Sequence, residues 1–69
     1  MDTTYWTGAL GNCQWSGEPF DGIMYDAHLP RIGWGNWNHR TFTIMGGRLG
    51  LGQGQRYEQQ PDGRWLMVA

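Results

Sequence analysis

Cys13, Asp26, His28 and His39 are the residues of this chain whose types could ligate a metal or act as nucleophile and base. No pair among them has the C-x-x-C or H-x-x-x-H spacing of a metal site, so a site would have to be gathered from distant positions, and no metal is expected. Cys13 with a His has the residue types of a nucleophile and its base. A thiol reacts, however, only where its thiolate is stabilised in a shaped, water-poor cleft. A short chain that must spend its aromatics on a core leaves little room for such a cleft. Cys13 is therefore expected as a small buried hydrophobe; if exposed, it could link two copies into a homodimer by oxidation. The Asp and Glu residues show no motif for paired acid–base work. No catalytic residue, no metal and no cofactor are assigned, and the chain does not read as an enzyme.

Leu49-Gly50-Leu51-Gly52-Gln53-Gly54 invites a nucleotide-binding reading, which fails on its details. A P-loop needs G-x-x-x-x-G-K-[ST], and the chain has no Lys. The dinucleotide fingerprint needs G-x-G-x-x-G, and the last interval here is wrong. The run reads instead as a long, bendable strand whose bare face lets a Trp or another backbone approach closely.

The stretch Arg31-Ile32-Gly33-Trp34-Gly35-Asn36-Trp37-Asn38-His39-Arg40 is the densest polar and aromatic segment. Gly33 and Gly35 mark it as a loop. Trp and Arg dominate protein-interface hot spots, and both stack on unpaired bases. Trp faces beside Asn side chains could equally seat a sugar ring. Arg31, Trp34, Trp37, His39 and Arg40 are therefore the candidate partner-binding residues. The competing possibility is that Trp34 or Trp37 plugs the core.

These residues must be positioned by a single small domain covering 1–69. Five Trp among 69 residues supply a core of large flat side chains, while 12 Gly argue against a helical bundle. A net charge of −1 excludes a strongly basic nucleic-acid binder, and the acids are too few for a DNA-mimicking shell. Asp2, Glu18, Asp21 and Asp26 precede the first Arg, so the acidic and basic halves are expected to pair across one fold. No apolar run approaches a membrane span, and no targeting segment is evident, so no membrane association is expected.

Gln60-Pro61-Asp62-Gly63-Arg64 is turn chemistry: Pro61 pre-sets φ, Asp62 follows, and Gly63 takes the left-handed conformation. It predicts a hairpin in which Gln60 faces Arg64, Gln59 faces Trp65, Glu58 faces Leu66 and Tyr57 faces Met67. Thr41–Met45 reads as a strand with Phe42 and Ile44 on one side, turned by Gly46-Gly47 into the glycine-rich strand. Residues 41–68 then form a three-stranded meander. Thr3–Thr7 reads as a further strand and Gly11-Asn12 as a turn into Cys13-Gln14-Trp15. Residues 19–29 fit two patterns. Phe20, Ile23, Met24 and Ala27 line one helix face, whereas Ile23, Tyr25, Ala27 and Leu29 alternate as a strand after an Asp21-Gly22 turn. The fold expected is mainly β, a single small antiparallel sheet with a C-terminal meander over 41–68. The alternative is α+β with one short helix at about 19–29.

The ending Asp62-Gly63-Arg64-Trp65-Leu66-Met67-Val68 resembles that of several small phage-encoded anti-CRISPR proteins, some of which close on a similar Gly-x-Trp-Leu-x-Val strand. The likeness covers the C-terminal hairpin only. Those proteins share neither one fold nor one set of functional residues, so no site residue carries over. The resemblance implies a role: a stoichiometric inhibitor that docks on a host defence effector complex in the bacterial cytoplasm. The scarcity of acids departs from the DNA-mimicking members. The function expected is thus a small non-enzymatic protein-interaction module. The alternative is a single-stranded nucleic-acid binder stacking bases on Trp34 and Trp37, with Arg31 and Arg40 on the phosphates.

Overall fold

The computed structural model describes residues 3–69; Met1 and Asp2, the first acid of the acidic half, lie outside it. Four strands form one antiparallel sheet: β1 (Ile23–Leu29), β2 (Gly33–Trp37), β3 (Gly54–Gln59) and β4 (Trp65–Met67), in the order β2-β1-β3-β4. One short helix, α1 (His39–Ile44), follows β2. The mainly β, single-sheet reading holds.

The terminal hairpin has the register its turn dictates. Tyr57 pairs with Met67, Glu58 with Leu66 and Gln59 with Trp65. The Gln60 N–H donates to the Arg64 carbonyl at 2.7 Å, and Gly63 sits at φ 90°. The Asp62 carboxylate accepts from the Arg64 N–H at 2.9 Å and from its Nε at 2.8 Å. Those bonds, the backbone one first, hold Asp62 below the usual carboxylate range.

Residues 23–29 are strand, and the helix considered over 19–29 is not formed. Asp21 and Gly22 both lie at positive φ, 58° and 84°, the combination of a tight Asp-Gly turn. They launch β1 between two partners, β2 and β3. β1 buries Tyr25, Ala27 and Leu29 on one face and Met24 on the other, and apolar residues on both sides are why the segment also fits a helical pattern. Cross-strand partners share a face. Tyr25, Ala27, Leu29 and Trp37 therefore look one way and Met24 and Tyr57 the other, and all six are buried.

Several segments depart from the sequence reading. The strand expected at Thr41–Met45 is α1. Asn38, in extended conformation, caps it by accepting from the Thr41 N–H at 2.8 Å. Phe42 stacks flat on Tyr25, centroids 3.8 Å apart and 6° from parallel. Local β propensity loses to a cap and a tertiary contact. Gly46-Gly47 is the helix stop: Gly47 N–H donates to the Phe42 carbonyl at 2.8 Å, Gly46 N–H to Thr43 at 3.3 Å, and Gly46 takes φ 76°.

The glycine-rich strand begins only at Gly54. Gly50–Gln53 fold back on themselves, with Gln53 and Gly54 N–H both donating to the Gly50 carbonyl at 3.0 Å. The close backbone approach expected of this run occurs at Gly54, where a Cβ would stand 2.5 Å from the Ala27 Cβ and 2.9 Å from the Arg48 carbonyl oxygen. The strand expected at Thr3–Thr7 reduces to one bridge, Tyr5 with Leu66. The turn expected at Gly11-Asn12 lies slightly later, closed by Gly17 N–H on the Cys13 carbonyl at 2.9 Å.

Gly54→Ala should force β3 away from Ala27 and cost roughly 1–3 kcal/mol. At this chain length that is a fall of several degrees in melting temperature. Gly11→Ala, where a Cβ meets open space, should leave the melting temperature unchanged or slightly raised. Thermal melts of the two variants by circular dichroism check the contrast.

Candidate functional site

The five sequence-derived candidates do not form one loop. Arg31 is exposed in the β1–β2 turn, where Ile32 N–H donates to the Leu29 carbonyl at 3.2 Å. Pro30 fits the second position of that turn, but Arg31 is held at φ 69°, a conformation that favours Gly. Trp34 and Trp37 lie three apart in β2, and a strand turns such residues to opposite faces. Trp34 is 55% exposed, its ring edge-on to His28 at 6.0 Å. Trp37 is a core residue whose indole N–H donates to the Ala27 carbonyl at 2.8 Å. Gly35 makes room for it, since a Cβ there would stand 2.6 Å from the indole. His39 opens α1, its Nδ1 2.8 Å from the Tyr25 hydroxyl. Arg40, next to it, is exposed.

Arg40 does line a groove, with partners the sequence did not single out: Trp15, Ser16, Glu18, Thr41, Ile44 and Met45. Trp15 is 61% exposed and Ile44 68%. Ile44 was hidden by the secondary-structure reading. In a strand it would share a face with Phe42, whereas two helical positions put the side chains on nearly opposite sides. With Phe42 turned to the sheet, Ile44 faces out. A helical reading from the Asn38 cap would have exposed it in the sequence.

Beneath the groove lies Cys13, buried as expected. Its Sγ is 3.4 Å from the Thr41 hydroxyl, and the Asn38 amide donates to the Ser16 hydroxyl at 3.3 Å. Burial pushes the thiol up. Hydrogen bonds from the Ser16 side chain and backbone, the Thr41 hydroxyl and the Asn38 backbone outweigh it and bring the thiol down to about 7. These groups tie the 13–17 turn to the first turn of α1. No His or carboxylate is among them.

Among the described residues no group of three His, Cys, Asp or Glu is gathered as a metal site would require. No helix of the described residues is long and apolar enough to cross a membrane.

Cys13 carries a pH signature. Its pKa is about 7 in the fold against an ordinary 9.0. Between those values the unfolded chain keeps a proton that the folded chain has released. Stability therefore rises as pH climbs from about 7 to 9, and the gain is lost as pH falls through 7. The span is up to about 2–3 kcal/mol. Urea unfolding of the wild type and of Cys13→Ala across this range should give a difference that widens with pH; a constant difference would mean that the thiol stays protonated.

No protein-family model, no curated protein and no solved structure matches the chain.

Proposed function

We propose that the protein is a small non-enzymatic module that docks on another protein through the groove between Trp15 and α1. The observation that carries this is the exposure of Trp15 and Ile44, 61% and 68%, in one groove with Met45 and with Glu18 and Arg40 along it. An isoleucine on the outer face of a six-residue helix adds nothing to the fold, and clustered exposed apolar side chains with charged neighbours are what partner-binding surfaces present. Trp and Arg are the usual anchors of such surfaces, and the two opposite charges favour one docking orientation over others.

The resemblance of the C-terminal strand to anti-CRISPR proteins makes a bacterial defence effector the first partner to test, with the module acting as a stoichiometric inhibitor inside the bacterial cell. The nucleic-acid alternative is weakened by the burial of Trp37, which leaves Trp34 as the stacking ring of the pair, and by Asp26 standing one row away across the sheet. Salt dependence separates the two readings, because phosphate contacts weaken steeply with salt and an apolar anchor does not.

The test is affinity capture from bacterial lysate with the wild type, Trp15→Ala and Ile44→Asp, followed by measured affinity for the captured protein. Each substitution should cost about 2 kcal/mol or more of binding, roughly thirtyfold, with the melting temperature unchanged. Trp34→Ala should bind as the wild type does. Equal affinity in all variants, or affinity that collapses with salt, overturns the reading.

A further inference from the structure

The face of the sheet turned away from α1 carries a second, chemically different surface. Asn36, Asp26 and Gln55 are cross-strand partners on β2, β1 and β3, so their side chains stand in one row. Trp34 and His28 form the next row toward the β1–β2 turn. On the other side of the polar row lie Met24 and Tyr57, both buried, with Trp6 edge-on against Tyr57 at 5.7 Å. The covering by the N-terminal stretch ends there. Asn36, Asp26 and Gln55 are half-buried, and Trp34 and His28 are exposed.

Asp26 has no cation beside it. The ion pairs of the described residues are Arg56–Glu58 and Arg64–Asp62. Its carboxyl is pushed up by burial, a cost the fold carries with no counter-charge in return. The Asn36 amide reaches the Met24 sulfur at 3.7 Å, a weak partner that leaves most of its hydrogen-bonding capacity free.

We propose that this face is a saccharide-binding surface, on which a neutral pyranose with equatorial substituents lays its C–H face on the Trp34 indole and offers its hydroxyls to Asn36, Asp26 and Gln55. An equatorially substituted ring has an apolar face and a polar rim, and the surface mirrors both. The electron-rich face of an indole attracts C–H groups. A carboxylate accepts from two hydroxyls, and each carboxamide both donates and accepts. Strands lie about 4.8 Å apart, so the polar row spans roughly 10 Å, enough to address two successive rings. The polar row itself carries no cation, so a phosphodiester laid along it meets the Asp26 carboxylate and is repelled. Arg48 lines a cleft with His28, Pro30 and Gln53, next to the Trp34–His28 row and not the polar one.

The test is a titration of the ¹⁵N-labelled protein with cellotetraose and with chitotetraose, each to about 5 mM, the range of a weak millimolar site. The Trp34 indole N–H and the Asn36 and Gln55 side-chain amides each give their own signals. Saturable shifts centred on these three support the proposal. Trp34→Ala and Asp26→Ala should each weaken binding at least about tenfold. Trp34→Ala should melt as the wild type does, and Ile44→Asp, on the opposite face, should leave the titration unchanged. Absence of a saturable shift with either sugar, shifts centred on Trp15, or undiminished binding by Trp34→Ala overturns it.

Discussion

The stack of Phe42 on Tyr25 is the contact on which the arrangement of this molecule depends. It is nearly parallel and 3.8 Å between centroids, and the Tyr25 hydroxyl meets His39 at the start of the same helix. A six-residue helix is far too short to be stable alone. Held flat against the sheet, it fixes Asn38 as its cap, and Asn38 with Thr41 and Ser16 completes the polar surround of Cys13. The same docking turns Ile44 and Arg40 outward. Each of these features follows from one aromatic pair joining residues 17 apart in the chain.

That separation also explains what the sequence let through and what it withheld. The terminal hairpin was legible because its information is local: Pro61, Asp62 and Gly63 each carry a backbone preference, and the register follows by counting outward from the turn. The Asp21-Gly22 turn was legible in the same way. Helix α1 was not, because Thr41, Thr43 and Ile44 are β-branched and favour a strand until Phe42 finds Tyr25. The glycine-rich run misled for a related reason. Alternate glycines fit one bare strand face, and they equally permit the positive φ angles at Gly50 and Gly52 that fold the run back. Of the five candidate residues, Arg31, Trp34, His39 and Arg40 lie at the surface. Trp37 is in the core because a strand, not a loop, carries it, and parity then decides which Trp faces water. Trp15 left no trace in the sequence, since nothing local distinguishes an exposed Trp in a turn from a core one.

The N-terminal stretch shows how a sheet can be protected without further strands. An exposed edge offers unpaired N–H and C=O groups to any other chain. Beside β4, Trp6 N–H donates to the Trp65 carbonyl at 2.9 Å and Met67 N–H to the Thr4 carbonyl at 2.8 Å. The Arg64 guanidinium lies 4.1 Å from the centre of the Tyr5 ring and clamps this segment to the hairpin turn. Beside β2, Gln14 does the same work with one residue. Its N–H donates to the Asn36 carbonyl at 3.0 Å, and its side-chain oxygen accepts the Asn36 N–H at 2.6 Å. A carboxamide here takes the place of a neighbouring strand.

Edge protection bears on how the molecule can meet partners. β4 is bonded by the 4–6 segment and β2 by Gln14 at Asn36, which among the described residues leaves the Trp34 end of the β2 edge without a backbone partner, and the two sheet faces present side chains. The faces differ in kind. The helix side presents Trp15, Ile44 and Met45, a surface that gains by leaving water. The open side presents a carboxylate and two carboxamides beside an indole, groups that lose solvation on contact and regain it only where a ligand returns each hydrogen bond. As the proposed docking surface, the first would accept apolar partners, with Glu18 and Arg40 to orient them. As the proposed saccharide surface, the second would discriminate by hydrogen-bond geometry, because any group left unmatched there costs more than its contact returns.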